Sequence, residues 1–162
     1  MSDPTRSAVT PVAFYRDPMA ALHWLETAFG FETTLLLTDG EGKLAHAEMT
    51  FRNCNIGVAG EWDGEVLGDA RMRSPASLDG AGTQFMRLDL ADGLDAHCER
   101  ARAAGATVTQ DPEDQFYGAR TYRARDPEGH VWTFSQEVKA VSLDEMSTAS
   151  GLKVETALTR DK

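Results

Sequence analysis

Arg16-Asp17-Pro18-Met19-Ala20-Ala21 and Ala91-Asp92-Gly93-Leu94-Asp95-Ala96 carry one pattern twice. Each stretch follows an apolar run and leads into helical periodicity. Asp17 and Asp92 stand 75 residues apart, as do Gly30 and Gly105, and Ile56 and Val131. The spacing predicts one module repeated without net insertion. In each copy a strand (Pro11–Tyr15; Phe85–Leu90) ends at an Asp suited to cap the following helix. Met19, Leu22, Leu25 and Phe29 give the first helix an apolar stripe; Leu94, His97, Cys98, Ala101 and Ala104 give the second its own. Gly30 and Gly105 suit left-handed helix ends. Three strands follow each helix: Glu32–Thr38, Lys43–Phe51 and Ile56–Gly60, then Thr107–Gln110, Arg120–Arg125 and Val131–Ser135.

The order βαβββ, twice, predicts an α+β fold of two tandem modules forming a curved cleft, with a C-terminal helical extension. Its boundaries are a single domain over 8–136 (module one 8–61, linker 62–82, module two 83–136) and an extension over 137–162. The Gly-, Asp- and Ser-rich linker reads as a mobile loop. Strand alternation divides each sheet into an oily face for its helix and a polar face that lines the cleft. Met86, Leu88 and Leu90 oppose Phe85, Arg87 and Asp89; Ala47, Met49 and Phe51 oppose His46, Glu48 and Thr50; Trp132 and Phe134 oppose Val131, Thr133 and Ser135.

The chain has 162 residues, enough for a full hydrophobic core, and a formal net charge of −10. That balance repels phosphate backbones, so no nucleic-acid partner is expected, and cationic or neutral small molecules are the easier ligands. No membrane-spanning run or secretory signal is visible. Cys54 and Cys98 lack a disulfide or CxxC pattern, and the cytoplasm is the expected location. Walker, G-x-G-x-x-G, H-E-x-x-H and G-x-S-x-G motifs are missing from the sequence, and no cofactor is expected.

Four stretches carry a family likeness: Tyr15-Arg16-Asp17-Pro18 ahead of Ala28-Phe29-Gly30-Phe31-Glu32; His46-Ala47-Glu48-Met49; Ser74-Pro75-Ala76-Ser77; and Asp126-Pro127-Glu128-Gly129-His130-Val131-Trp132. With the duplicated module, they make residues 8–136 resemble the glyoxalase/bleomycin-resistance/dioxygenase, or vicinal oxygen chelate, superfamily. The resemblance implies a cleft enclosed by paired modules, commonly in a homodimer. It also implies metal ligands on the first and last strands of each module in the metal-dependent members. Those positions map to Thr10, Phe85, Val58 and Thr133, none of them His or carboxylate. The departure argues against a metal and points to the metal-free, antibiotic-binding and glyoxalase-like branches.

The candidate ligand-binding residues are His46, Glu48, Phe85, Arg87, Arg123 and Thr133. His46 and Glu48 share one strand face, as a base or ligand pair or as a hydrogen-bonded spacer. Glu48 maps to Arg123, so the two are expected to approach across the pseudo-twofold axis. His130 reads as a surface histidine, His23 and His97 as packing or surface residues, and Trp132 as core. Trp62 and Tyr117 are candidates for the cleft mouth. The functional expectation is a metal-free small-molecule-binding protein. The alternative is an isomerase or lyase using His46 or Glu48, with or without a relocated metal; catalytic residues are not assigned.

Beyond residue 136, Ser142-Leu143-Asp144-Glu145 has capping-box spacing and Gly151 a stop signal, predicting a helix over Leu143–Ser150. Val154, Thr156 and Leu158 alternate with Glu155, Ala157 and Thr159, a strand pattern suited to docking on the fold or on a second subunit.

Overall fold

The computed structural model describes residues 7–64 and 68–157. The first module comprises β1 (Val12–Tyr15), α1 (Pro18–Phe29), β2 (Glu32–Thr38), β3 (Leu44–Phe51) and β4 (Cys54–Gly60). The linker carries a small hairpin, β5 (Trp62–Asp63) with β6 (Arg71–Met72), and a 3-10 turn at Pro75–Ser77. The second module comprises β7 (Met86–Leu90), α2 (Leu94–Ala103), β8 (Thr107–Asp114), β9 (Ala119–Arg125) and β10 (Val131–Glu137), and α3 (Leu143–Ser150) follows. The two main sheets have matching orders, β1-β4-β3-β2 and β7-β10-β9-β8. No helix among the described residues is long and apolar enough to cross a membrane.

Local chemistry sets the helix ends. Asp17 caps α1 by accepting from the Ala20 N–H at 3.0 Å, and Gly30 ends it at φ 80°. Asp92 does not cap α2, contrary to expectation. Gly93 occupies that position at φ 71°, and the Leu94 N–H donates instead to Gln136 Oε1 at 3.0 Å. The capping box of α3 forms, with Gly151 at φ 70° behind it. The strand expected next is not formed over residues 151–157, and Leu158 lies outside the described residues. The linker is not a bare loop either. Fully buried Ser74 starts the 3-10 turn and donates its hydroxyl to Glu128 at 2.5 Å, while its N–H donates to Glu61.

One apolar core spans both modules. Trp132, Phe134, Tyr122 and Ala124 are fully buried there, as the alternation requires. Each helix lends a polar group to the end of the other: Arg100 of α2 donates to the Thr27 and Glu26 carbonyls, and Trp24 of α1 donates to the Ala104 carbonyl. The bonds to Thr27 and Ala104 satisfy carbonyls that a helix terminus leaves open, and the Glu26 carbonyl also accepts from the Gly30 N–H. His97 sits among Phe29, Phe51, Tyr122 and Phe134. Its Nε2 lies 2.9 Å from the Phe29 carbonyl, which can only accept, so Nε2 carries the proton. Its Nδ1 then accepts from the Tyr122 hydroxyl at 2.6 Å.

Asp126 joins the modules at the other end. Its Oδ2 accepts from the Tyr15 hydroxyl at 2.7 Å and Trp132 Nε1 at 3.1 Å, while Oδ1 accepts from the Glu128 and His130 N–H groups. Burial, then the Asp126 charge, holds the Tyr15 phenol well above its ordinary range, so it stays a donor. Glu128 in turn accepts from the Arg16 and Asp17 N–H groups at 2.7 and 2.9 Å.

Two outcomes follow from these contacts. Asp126→Ala strands the Tyr15 and Trp132 donors in the core and should cost roughly 3 kcal/mol, at about 1–3 kcal/mol for each unsatisfied buried group; denaturant unfolding measures it. Burial holds the His97 pKa below its ordinary value. The unfolded chain therefore takes up the proton first. The contribution is fully present above about pH 6.5 and is lost as pH falls toward the depressed folded value. The urea midpoint should drop more between pH 7.5 and 5.5 in the natural chain than in His97→Gln.

Candidate functional site

With both helices consumed by the core, the polar faces of the two sheets are what remains open. The register defines each face. On the first sheet Val12, Gly57 and Glu48 lie side by side, and on the second Arg87, Thr133 and Arg123 occupy the equivalent row. This corrects the sequence mapping of Val58 onto Thr133. Val58 pairs with Ala13 and Ala47 and is fully buried toward the helix. Gly57 holds the equivalent place, because a slip of one residue turns a strand's side chains to the opposite face.

Gly57 is buried beneath its neighbours. A Cβ there would stand 2.9 Å from Val12 Cγ2 and 3.3 Å from His46 Cε1, so both neighbours lean over the glycine. His46 Nε2 lies 3.8 Å from Glu48 Oε1, an ion-pair distance too long for a hydrogen bond. Both side chains are about one-third exposed.

The second face is built differently. Arg123 places its guanidinium 5.9 Å from the Phe85 ring centroid and donates through Nε to the Thr133 hydroxyl at 3.2 Å. Phe85 is 59% exposed, an open apolar ring beside a positioned cation. Among the described residues Arg87 makes only long contacts, 3.5 Å to Asp89 and 3.4 Å to Ser135. Four of the six candidate residues thus share this face, and His46 and Glu48 share the other. The expected approach of Glu48 to Arg123 does not occur within the chain: Glu48 faces His46, and Arg123 faces Phe85 and Thr133.

Against the first sheet lies a cleft of about 550 Å³ between Val12, Phe14 and the linker residues Met72, Pro75 and Leu78. His130 lines it too, and is not the surface residue expected. Its Nε2 donates to the Phe14 carbonyl at 2.8 Å and its ring lies against Tyr15. No local signal marks His130, because its partners belong to the first strand of the other module. Trp132 is core as expected, and Tyr117 is half-exposed in the β8–β9 loop.

A metal of the family's kind does not fit this donor set. The four strand positions hold Thr10, Phe85, Gly57 and Thr133, and neither a phenyl ring nor a glycine offers a ligand. His46 and Glu48 supply two donors, and no group of three or more His, Cys, Asp or Glu side chains converges among the described residues.

Comparisons with known proteins place the chain. The family model of the Glyoxalase/Bleomycin resistance protein/Dioxygenase superfamily matches residues 8–134. An uncharacterized protein of Mycobacterium tuberculosis (strain ATCC 25618 / H37Rv) is 31% identical over 142 residues, which is 88% of this chain and 81% of the relative. Among solved structures, TioX from Micromonospora sp. ML1 superposes with a TM-score of 0.63 at 27% identity, covering 82% of this chain and all of that one. A glyoxalase/bleomycin resistance protein/dioxygenase from Nocardioides reaches 0.61 at 18% identity over 83% of this chain and 85% of its own, a likeness of fold. The two sheets, the closing Asp126–Trp132 turn and these matches agree: the chain belongs to the glyoxalase/bleomycin resistance protein/dioxygenase superfamily.

Proposed function

We propose that this chain is a metal-free member of its superfamily that binds a small organic molecule on its sheet faces and acts as a homodimer. The observation that carries the reading is the Phe85–Arg123–Thr133 arrangement. A flat cation fixed over an open aromatic ring, and steadied by a hydroxyl, presents a preorganised surface for a planar ligand. On the other face Glu48 and His46 offer a second, partly exposed polar pair.

The charge of the ligand follows from the faces rather than from the whole chain. Glu48 suits a cationic or neutral donor group, while the second face rewards aromatic planes. A neutral planar molecule, or one with a cationic substituent directed at Glu48, matches both. A homodimer setting one face of each kind against the other would close them over the ligand. The half-exposed Leu35, Leu36 and Leu37 of the edge strand β2 support burial against a second copy. Free thiols at Cys54 and Cys98 suit a reducing cytoplasm. The second reading, an isomerase or lyase, rests on the His46–Glu48 pair alone.

A thermal-shift screen of planar organic molecules tests the binding reading. A ligand at 100 times its dissociation constant should add about 2.7 kcal/mol of stability. The gain should vanish in Phe85→Ala/Arg123→Ala and persist in Arg102→Ala, whose pairs with Glu99 and Asp111 lie on the exposed surface. Hits that bind the double variant unchanged would refute the assignment of the second face.

A further inference from the structure

The C-terminal residues, beyond the stretch that the family model matches, build a wall of a cavity of about 630 Å³. Its floor is the far end of the second sheet's open face, at Arg87 and Ser135. Arg52, from the β3–β4 turn of the first module, closes one side; Tyr117 of the β8–β9 loop, Lys139 and Met146 close the others. The C-terminal segment is held there by its backbone. The N–H groups of Val138 and Lys139 both donate to the Gly118 carbonyl, at 2.9 and 3.1 Å. Gly118 has φ 88° and no room for a Cβ, because the Lys139 carbonyl and the Val141 side chain stand against it. Met146 is carried on α3, whose capping box and Gly151 fix its two ends.

The polar groups of this cavity are underused. Ser135 is 2% exposed, and its hydroxyl has a single hydrogen-bond partner among the described residues, Arg87 at 3.4 Å. The serine hydroxyl therefore keeps a proton to give. Among the described residues Arg87 has only that contact and the 3.5 Å contact to Asp89. Arg52 donates one N–H to the Asp89 main-chain carbonyl at 2.7 Å, and no carboxylate lies within ion-pair distance of it among the described residues. Each guanidinium has five N–H donors, so most remain available. Asp89 and Glu137 also line the cavity, against the three cations Arg52, Arg87 and Lys139, leaving a local excess of one positive charge in an acidic chain. Arg52 stands at φ 55°, in the left-handed region that a turn normally fills with Gly or Asn. Turn chemistry does not ask for arginine there; a guanidinium that reaches the other module does.

We propose that this cavity is a second binding site, for a small organic oxyanion with an apolar group. The oxyanion is held by Arg52, Arg87 and the Ser135 hydroxyl, and the apolar part lies against Tyr117 and Met146. The site shares its sheet with the surface at Phe85 and Arg123 but uses none of the groups that carry the preceding reading.

Calorimetric titration of the full chain with phenyl phosphate, alongside inorganic phosphate, tests the proposal. Assigned amide and methyl spectra locate the binding. Phenyl phosphate should bind at one site, shift the signals of Ser135, Gly118 and the Met146 methyl group, and bind more tightly than phosphate. Arg52→Gly, which relieves the turn, and Arg87→Gln should each keep the melting temperature and weaken binding about tenfold or more, the scale of one charged hydrogen bond. Met146→Ala should narrow the preference for phenyl phosphate over phosphate. Absence of saturable binding, or an affinity in both arginine variants equal to that of the natural chain, overturns the proposal. Shifts confined to Phe85, Arg123 and Thr133 also overturn it while leaving the preceding reading intact.

Discussion

The Asp126 carboxylate is the constraint on which the remaining structure depends. Buried, it takes donors from Tyr15 in one module and Trp132 in the other, and it shapes the turn that delivers β10. A buried carboxylate is tolerable only when its lone pairs are used, and here four donors use them. Together with the exchange of end-capping bonds between α1 and α2 and the His97 bridge, it makes one core out of two modules. Both helices are spent on that core. The outer faces of the sheets are left open, and those faces are where the two modules differ.

The duplication keeps the skeleton and changes what it presents. Gly57 stands opposite Thr133, and Glu48 opposite Arg123, at equivalent points of the register. The β3–β4 and β9–β10 turns have diverged likewise. Glu128 latches onto the backbone N–H groups that open α1, whereas Arg52 latches onto a backbone carbonyl at the end of β7. One turn therefore brings a negative group to its neighbour and the other a positive one. Net charge averages this away, so an acidic chain can carry an arginine-lined face.

Much of the fold was legible because its signals are local. The alternation along β3, β7 and β10 assigns faces correctly, and Ser142, Glu145 and Gly151 mark α3 to the residue. The failures occur where distant partners decide. The last-strand equivalence slipped by one because the β9–β10 turn is longer, so the offset between modules is 75 at Glu48 and Arg123 but 76 at Gly57 and Thr133. Asp92 carries a cap's chemistry, but Gly93 and Gln136 take over the start of α2. His130 and Arg52 each find their contact in the other module. Of the candidate residues, the strand faces were legible, but the separation of Glu48 from Arg123 was not, because sheet-to-sheet geometry is absent from strand periodicity.

We propose that these faces meet an organic ligand directly, without a resident metal. Elemental analysis of protein purified without chelator tests it most directly. The account predicts divalent metal well below one equivalent per chain and a melting temperature unchanged by chelator. One tightly held divalent ion per chain, released in His46→Ala, would contradict it.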